Sequence, residues 1–186
     1  MKEVVDLNSY SNSWYHPSKS RLKVLFWNMV NVLFFINPLN PFSKLKVFLL
    51  RLFGAKMGSG ITIKQGVNIK YPWFLSIGDF SWIGENVWID NLCRVEIQSN
   101  VCISQGAMLL TGNHNYKRST FDLMLGEINL QSGVWIGAKA IVCPGVKCGS
   151  HSVLNVGSVA TKDLIPYSIN QGNPAVFLKT RIIVKS

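Results

Sequence analysis

Apolar residues recur at every sixth position through the middle of this chain: Ile77, Ile83, Ile89, Val95, Val101 and Ala107. A second register follows at Leu130, Ile136, Val142, Cys148, Leu154 and Ala160. A helix repeats at 3.6 residues and a strand at 2, so neither explains a period of six. A parallel β-helix does: each hexad forms one short flat side of a coil, and its spine residue stacks on the spine of the next coil. The position four beyond the spine holds Ser81, Val87, Cys93, Ser99, Ala140, Val146, Ser152 and Ser158, side chains small enough for a tight inward corner. Gly78, Gly84, Asp90, Gly137, Gly149 and Asn155 follow the spine directly, and the glycines among them read as turns with φ > 0. A weaker start at Met57, Ile63 and Ile69 slips by two residues near Tyr71-Pro72-Trp73.

The chain of 186 residues is long enough for one domain with a substantial core. Its first 20 residues are polar and lack the apolar run of a signal peptide. Cys93, Cys102, Cys143 and Cys148 form no Cys-x-x-Cys pair, and they read as small buried thiols in a reducing, cytoplasmic compartment, with no metal role. The net charge of +10 is uneven: no acidic residue stands between Leu7 and Gly78. That stretch carries Lys19, Arg21, Lys23, Lys44, Lys46, Arg51, Lys56, Lys64 and Lys70. Such a field favours a lipid surface, a phosphorylated substrate or a nucleotide; nucleic acid is not an expected partner.

Three segments follow from the pattern: residues 1–56, the repeat at 57–165, and a Pro/Gly-rich tail at 166–186. In the first, residues 20–36 read as a helix with Ser20 as N-cap. Asn37 to Pro41 is a turn, and Ser43 to Phe53 a second helix stopped by Gly54. The first helix is too short to span a bilayer, which needs about 20 apolar residues. Two readings stay open, and both can hold. The helices cover the open edge of the first coil. Alternatively, Phe26, Trp27, Phe34 and Phe35 dip into a membrane interface while the basic residues meet anionic head groups.

The repeat breaks between Ala107 and Leu130, whose separation is not a multiple of six, and residues 112–128 read as a loop thrown out of the prism. Loops on rigid scaffolds carry chemistry, and this one contains His114. Acyl transfer from a thioester to a hydroxyl needs the hydroxyl proton removed as the bond forms. Imidazole, with an ordinary pKa of about 6.5, does this near neutrality. His16 and His151 read as solvated or structural. Asp90 and Asn91 interrupt the apolar pattern, either as a turn pair or as residues that hold an acceptor.

These hexads resemble the left-handed β-helix acyltransferases of the hexapeptide-repeat family. The resemblance implies a mainly β fold: a left-handed parallel β-helix of about five coils, with an N-terminal helical segment and a protruding catalytic loop. Phe48-Leu49-Leu50-Arg51-Leu52-Phe53-Gly54-Ala55-Lys56, Tyr71-Pro72-Trp73, Thr111-Gly112-Asn113-His114 and Gly172-Asn173-Pro174-Ala175 resemble the colanic acid biosynthesis acetyltransferase family more narrowly. That implies His114 as catalytic base and acetyl-CoA as co-substrate, lying between neighbouring prisms of a homotrimer. Trp135, Ala138, Val156, Thr161, Lys162, Asn173 and Pro174 would line it. Ala138 would give its N–H to the thioester oxygen, Lys162 would meet phosphates, and Asp90 and Asn91 would hold the sugar. The family commonly has Asp after the histidine; here it is Asn115, so another acceptor such as a backbone carbonyl must orient the imidazole. Where some relatives carry an Arg, this chain has Val176.

The expected function is O-acetylation of a sugar hydroxyl in exopolysaccharide, capsule or O-antigen biosynthesis, by direct transfer without an acyl-enzyme. The acceptor would be a sugar or a lipid-linked oligosaccharide, met at the inner face of the membrane. The alternatives are a xenobiotic or free-sugar acetyltransferase, or a catalytically silent β-helix scaffold. A γ-carbonic-anhydrase-like metal site needs three His ligands, and the repeat region holds only His114 and His151.

Overall fold

In a computed structural model that describes residues 3–185, short parallel strands stack into three flat faces of a prism. The first face stacks Lys56–Met57, Leu75–Ile77, Val95–Ile97, Ile128–Leu130 and Lys147–Cys148. The second stacks Thr62–Ile63, Trp82–Ile83, Cys102–Ile103, Trp135–Ile136, Val153–Leu154 and Ser168–Gly172. The third stacks Asn68–Ile69, Trp88–Asp90, Met108–Leu110, Ile141–Val142 and Val159–Ala160. The whole is a left-handed parallel β-helix. Parallel stacking continues past Ile165: Ile169 pairs with Val153, and Ala175–Thr180 returns antiparallel along the outside as a hairpin.

The spine differs from the expected one at one corner. Thr62 pairs with Trp82 and Trp82 with Cys102, so each early coil takes 20 residues. Later, Trp135 pairs with Val153, a coil of 18. The spine therefore slips from Ile89 to Ile97 and continues at Ile103 and Leu109. Val95, Val101 and Ala107 are buried as well, because they occupy other inward positions of the same coils. The two extra residues always fall at the corner between the third and first faces, as at Tyr71-Pro72-Trp73. In the third coil that same corner opens into the excursion, a hairpin pairing Gly112–His114 with Leu123–Leu125.

The glycines after the spine also have a different cause. A Cβ on Gly84 would stand 2.8 Å from the Ile103 oxygen and 2.9 Å from the Gln105 nitrogen, so the residue is small because the next coil's backbone presses on it. Left-handed backbone occurs two residues further on, at Gly60, Phe80, Asn86, Asn100, Gly106 and Lys139 among others.

Helix α1 (Arg21–Val30) begins at Ser20, whose Oγ accepts from the Lys23 N–H. It continues as a π-helical turn, Asn31–Ile36, and after a loop comes α2 (Ser43–Leu52). An outermost coil leaves backbone groups unpaired. These helices supply the partners. Trp27 Nε1 donates to the Ile69 carbonyl (2.9 Å), Ser43 Oγ accepts from the Ile63 N–H (2.8 Å), and Arg51 donates to the Gly58 carbonyl (2.7 Å). Lys46 is fully buried and donates to the Lys64 carbonyl; desolvation lowers its pKa below the ordinary lysine range. Beneath them the apolar core runs the length of the prism, from Trp27 and Phe35 to Leu164.

Gly84→Ala should cost about 1–3 kcal/mol in denaturant unfolding, since it overpacks coil against coil. Gly106→Asn, at a left-handed position, should stay within about 0.5 kcal/mol because Asn tolerates that conformation.

Candidate active site

The excursion hairpin holds His114 at the end of its first strand, opposite Leu123. Its ring stacks on Phe121, with centroids 4.6 Å apart and planes 7° from parallel. Nδ1 lies 2.9 Å from the Phe121 carbonyl oxygen. A carbonyl only accepts, so Nδ1 carries the proton in the neutral ring, and Nε2 is left with its lone pair. The orienting partner is thus a backbone carbonyl. Asn115 Oδ1 instead accepts from the Lys117 N–H within the loop. The loop tip is tied by Arg118 and Asp122 (3.0 Å), and hydrogen bonds from Thr120 and then Arg118 hold the Asp122 carboxyl below its usual range.

The N-terminal segment lies against this loop. Asp6 N–H donates to the Ser119 carbonyl (2.9 Å), and the Tyr10 ring sits 5.7 Å from His114. Tyr15 Oη donates to the Leu92 carbonyl (2.7 Å), and burial is the main reason that its pKa is raised. Neither Tyr10 nor Phe121 stands out in the sequence as a site residue. Tyr10 is an aromatic residue in a mostly polar run, and the Phe121 contact is made through a carbonyl, which no residue letter reveals.

Asp90 and Asn91 lie at the widened corner just below the excursion. Asn91 is fully buried: its amide accepts from the Tyr71 N–H (3.0 Å) and donates to the Tyr71 carbonyl. It bridges two coils whose backbones part at that corner, and its burial closes it off from solvent. Thr111, also buried, does the same one coil on, donating to the Asp90 carbonyl (2.9 Å). Asp90 Oδ1, itself buried, lies 3.0 Å from Lys70 Nζ but off the hydrogen-bonding direction, while the side chain as a whole is 17% exposed.

The residues expected to line acetyl-CoA fall on two edges. Trp135 stands half-exposed on the second face, with Nε1 donating to Ser104 Oγ (2.9 Å). Ala138 turns the corner from the second to the third face; its carbonyl accepts from the Gly157 N–H (2.9 Å), beside Val156. Its own N–H has no hydrogen-bond partner among the described residues. The hairpin turn with Asn173 and Pro174 is held to this edge by Ser158 Oγ, which accepts from the Gly172 N–H (3.0 Å). Thr161 and Lys162 are exposed on the opposite edge of the third face, the same edge from which the His114 hairpin departs. A hexad crosses that face, at most about 20 Å. One chain thus separates His114 from Ala138.

All four cysteines are free. Burial raises the pKa of each, that of Cys148 to about 12, which keeps them protonated and poor nucleophiles. No group of three His, Cys, Asp or Glu side chains among the described residues is placed to hold a metal ion.

The prism of stacked hexads has the fold of the hexapeptide-repeat acyltransferases. Comparison with known proteins agrees. The chain is 32% identical over 177 residues to the Escherichia coli (strain K12) protein WcaF, which carries the name of a colanic acid biosynthesis acetyltransferase; the match covers 95% of this chain and 97% of that one. The chain belongs to this colanic acid biosynthesis acetyltransferase family. Among solved structures, a hexapeptide-repeat acetyltransferase of Vibrio cholerae complexed with acetyl coenzyme A superposes with a TM-score of 0.75 at 20% identity, covering 88% of this chain and 87% of that one. A galactoside acetyltransferase in complex with coenzyme A gives a TM-score of 0.75 at 23% identity, covering 86% and 80%. No family model matches the chain.

In 15N-detected NMR the neutral His114 ring should be the Nδ1–H tautomer; a dominant Nε2–H form would remove Phe121 as its orienting partner. Asn91→Ala should cost about 2–4 kcal/mol of stability by leaving two Tyr71 backbone groups unpaired, read by denaturant unfolding.

Proposed function

We propose that this acetyltransferase moves acetyl from acetyl-CoA to a sugar hydroxyl in the biosynthesis of an exopolysaccharide, capsule or O-antigen. The observation that carries the reading is His114, whose Nδ1 is held by the Phe121 carbonyl. Acetyl-CoA supplies the acetyl group as a thioester. His114 Nε2 takes the hydroxyl proton as the oxygen attacks, and the proton passes on to the departing thiolate. Ala138 N–H faces the negative charge that develops on the thioester oxygen. Trp135, Val156, Thr161, Lys162, Asn173 and Pro174 hold the CoA, and Lys162, exposed and without an acidic partner among the described ion pairs, meets its phosphates. Asp90 is the acceptor-holding carboxylate that remains. The protonated cysteines support direct transfer. The sugar acceptor is supported by the colanic acid role in the relative's name and by the galactoside in the neighbour's.

The working unit in this reading is a homotrimer. Outward residues of the second face, Trp82 and Trp135, and of the third, Trp88, Met108 and Ile141, are largely apolar. The first face presents Lys56, Ser76, Glu96 and Lys147 instead. Packing a second face against a neighbour's third brings the Ala138 edge of one copy toward the His114 edge of the next. The same reading places the enzyme peripherally at the cytoplasmic face of a membrane, with a lipid-linked sugar as acceptor. No helix among the described residues is long and apolar enough to cross a membrane.

His114→Ala should lower turnover with labelled acetyl-CoA by about 10²–10⁴ while leaving CoA affinity nearly unchanged. An unchanged rate would remove His114 from the mechanism. Sedimentation equilibrium should give a trimer, and a stable monomer that still binds CoA tightly would defeat the shared site.

A further inference from the structure

The N-terminal helices are apolar on both sides. One side packs on the first coil through Trp27, Phe35 and Leu50, all fully buried. The other side points away from the prism and is bare. Leu22, Phe26, Met29 and Leu33 form one stripe at helical spacing, and Phe42, just before α2, and Phe48, within it, are exposed as well. In all, 12 large apolar side chains between Leu22 and Leu52 are exposed, Phe42 at 68% and Phe48 at 60%. A helix with apolar side chains on both its core and its outer side is normally covered on both, and exposed apolar side chains in this number mark an interaction surface.

The charge around the patch selects its occupant. Lys19, Arg21, Lys44, Arg51 and Lys56 are exposed around it, and the acid-free stretch from Leu7 to Gly78 offers them no local counter-ion. A protein partner covering this belt would have to be both strongly acidic and strongly apolar. An anionic bilayer presents those two properties together, with head groups at the level of the cations and acyl chains beneath.

We propose that the outward stripe of α1, its π-helical continuation and α2 lies in the interface of an anionic bilayer, with the prism standing on it by its first coil. The seat itself needs nothing from the acetyl-transfer reading; its consequence for the acceptor rests on that reading. The His114 hairpin leaves the third coil, two strand spacings or about 10 Å from the first. It rises on the edge that also carries Tyr71 and Trp73, with Lys23 Nζ 5.8 Å from the Trp73 ring. A sugar carried on a membrane lipid therefore reaches Nε2 from the side of the helices. In a threefold assembly with parallel prisms the three belts share one end, so weak individual seats add.

The test uses the full chain and vesicles of phosphatidylcholine alone or mixed with phosphatidylglycerol. Co-sedimentation should be at least about tenfold stronger on the anionic vesicles, and should fall by about tenfold between low and high salt. Leu22→Gln, Phe26→Gln and Phe48→Gln together should abolish vesicle binding. Acetyl transfer to a water-soluble sugar should survive in the same variant, because none of the three touches the prism's site. No binding of the intact chain to anionic vesicles overturns the seat. So does a higher oligomer that the triple variant dissolves, which would make the belt a contact between copies. Failure of transfer to every sugar, with vesicle binding intact, would overturn the acetyl-transfer reading and leave the seat standing.

Discussion

Each coil must offer its backbone N–H and C=O groups to the next coil at a spacing of about 4.8 Å, and the rest of the molecule answers to that demand. The inward stacks, such as Ile63, Ile83, Ile103, Ile136 and Leu154, keep the coils in register because every member has the same place to fill. Where coils approach closely only glycine fits, as at Gly84. Where the backbone reverses at a corner it turns left-handed, and Asn, Lys and Phe accept that conformation beside glycine.

The same demand explains where the excursion sits. At the corner between the third and first faces the early coils carry two extra residues, and their backbones cannot all meet. Asn91 and Thr111 close the gap with buried side-chain bonds. A corner satisfied by side chains no longer needs a fixed length, so a hairpin can grow from it without disturbing the stacks. His114 sits on that hairpin, and a carbonyl within the hairpin holds its ring. The opposite edge of the third face has tight corners, with Ala138 in one of them. One edge thus carries an imidazole whose Nδ1 is engaged by a carbonyl, and the other a backbone N–H without a partner among the described residues.

A stack of coils must also end. At the C-terminal end the hairpin of Ser168–Gly172 and Ala175–Thr180 finishes the second face. At the N-terminal end Trp27, Ser43, Lys46 and Arg51 reach the first coil's unpaired backbone. This edge closure accounts for one side of the helices and leaves the apolar outer side unexplained by the prism.

The sequence by itself determined the solenoid, the excursion, the two helices and the histidine. All of these are written in a period, a break in that period, or a residue with distinctive chemistry. That Asn115 stands where the family commonly has Asp came from the resemblance, which implied another acceptor for His114. Tertiary structure alone decided the slip of the spine from Ile89 to Ile97, because the inward positions on both sides of the slip are apolar and a six-residue count passes from one to the other unnoticed. It decided that Asn91 is a buried strut, since only the stacking of coils sets it beside Tyr71. It decided, too, that the Phe121 carbonyl holds the imidazole and that Ala138 lies across a face from His114. Backbone groups have no letter in a sequence, and which edge of a prism a residue occupies depends on how many residues each corner takes.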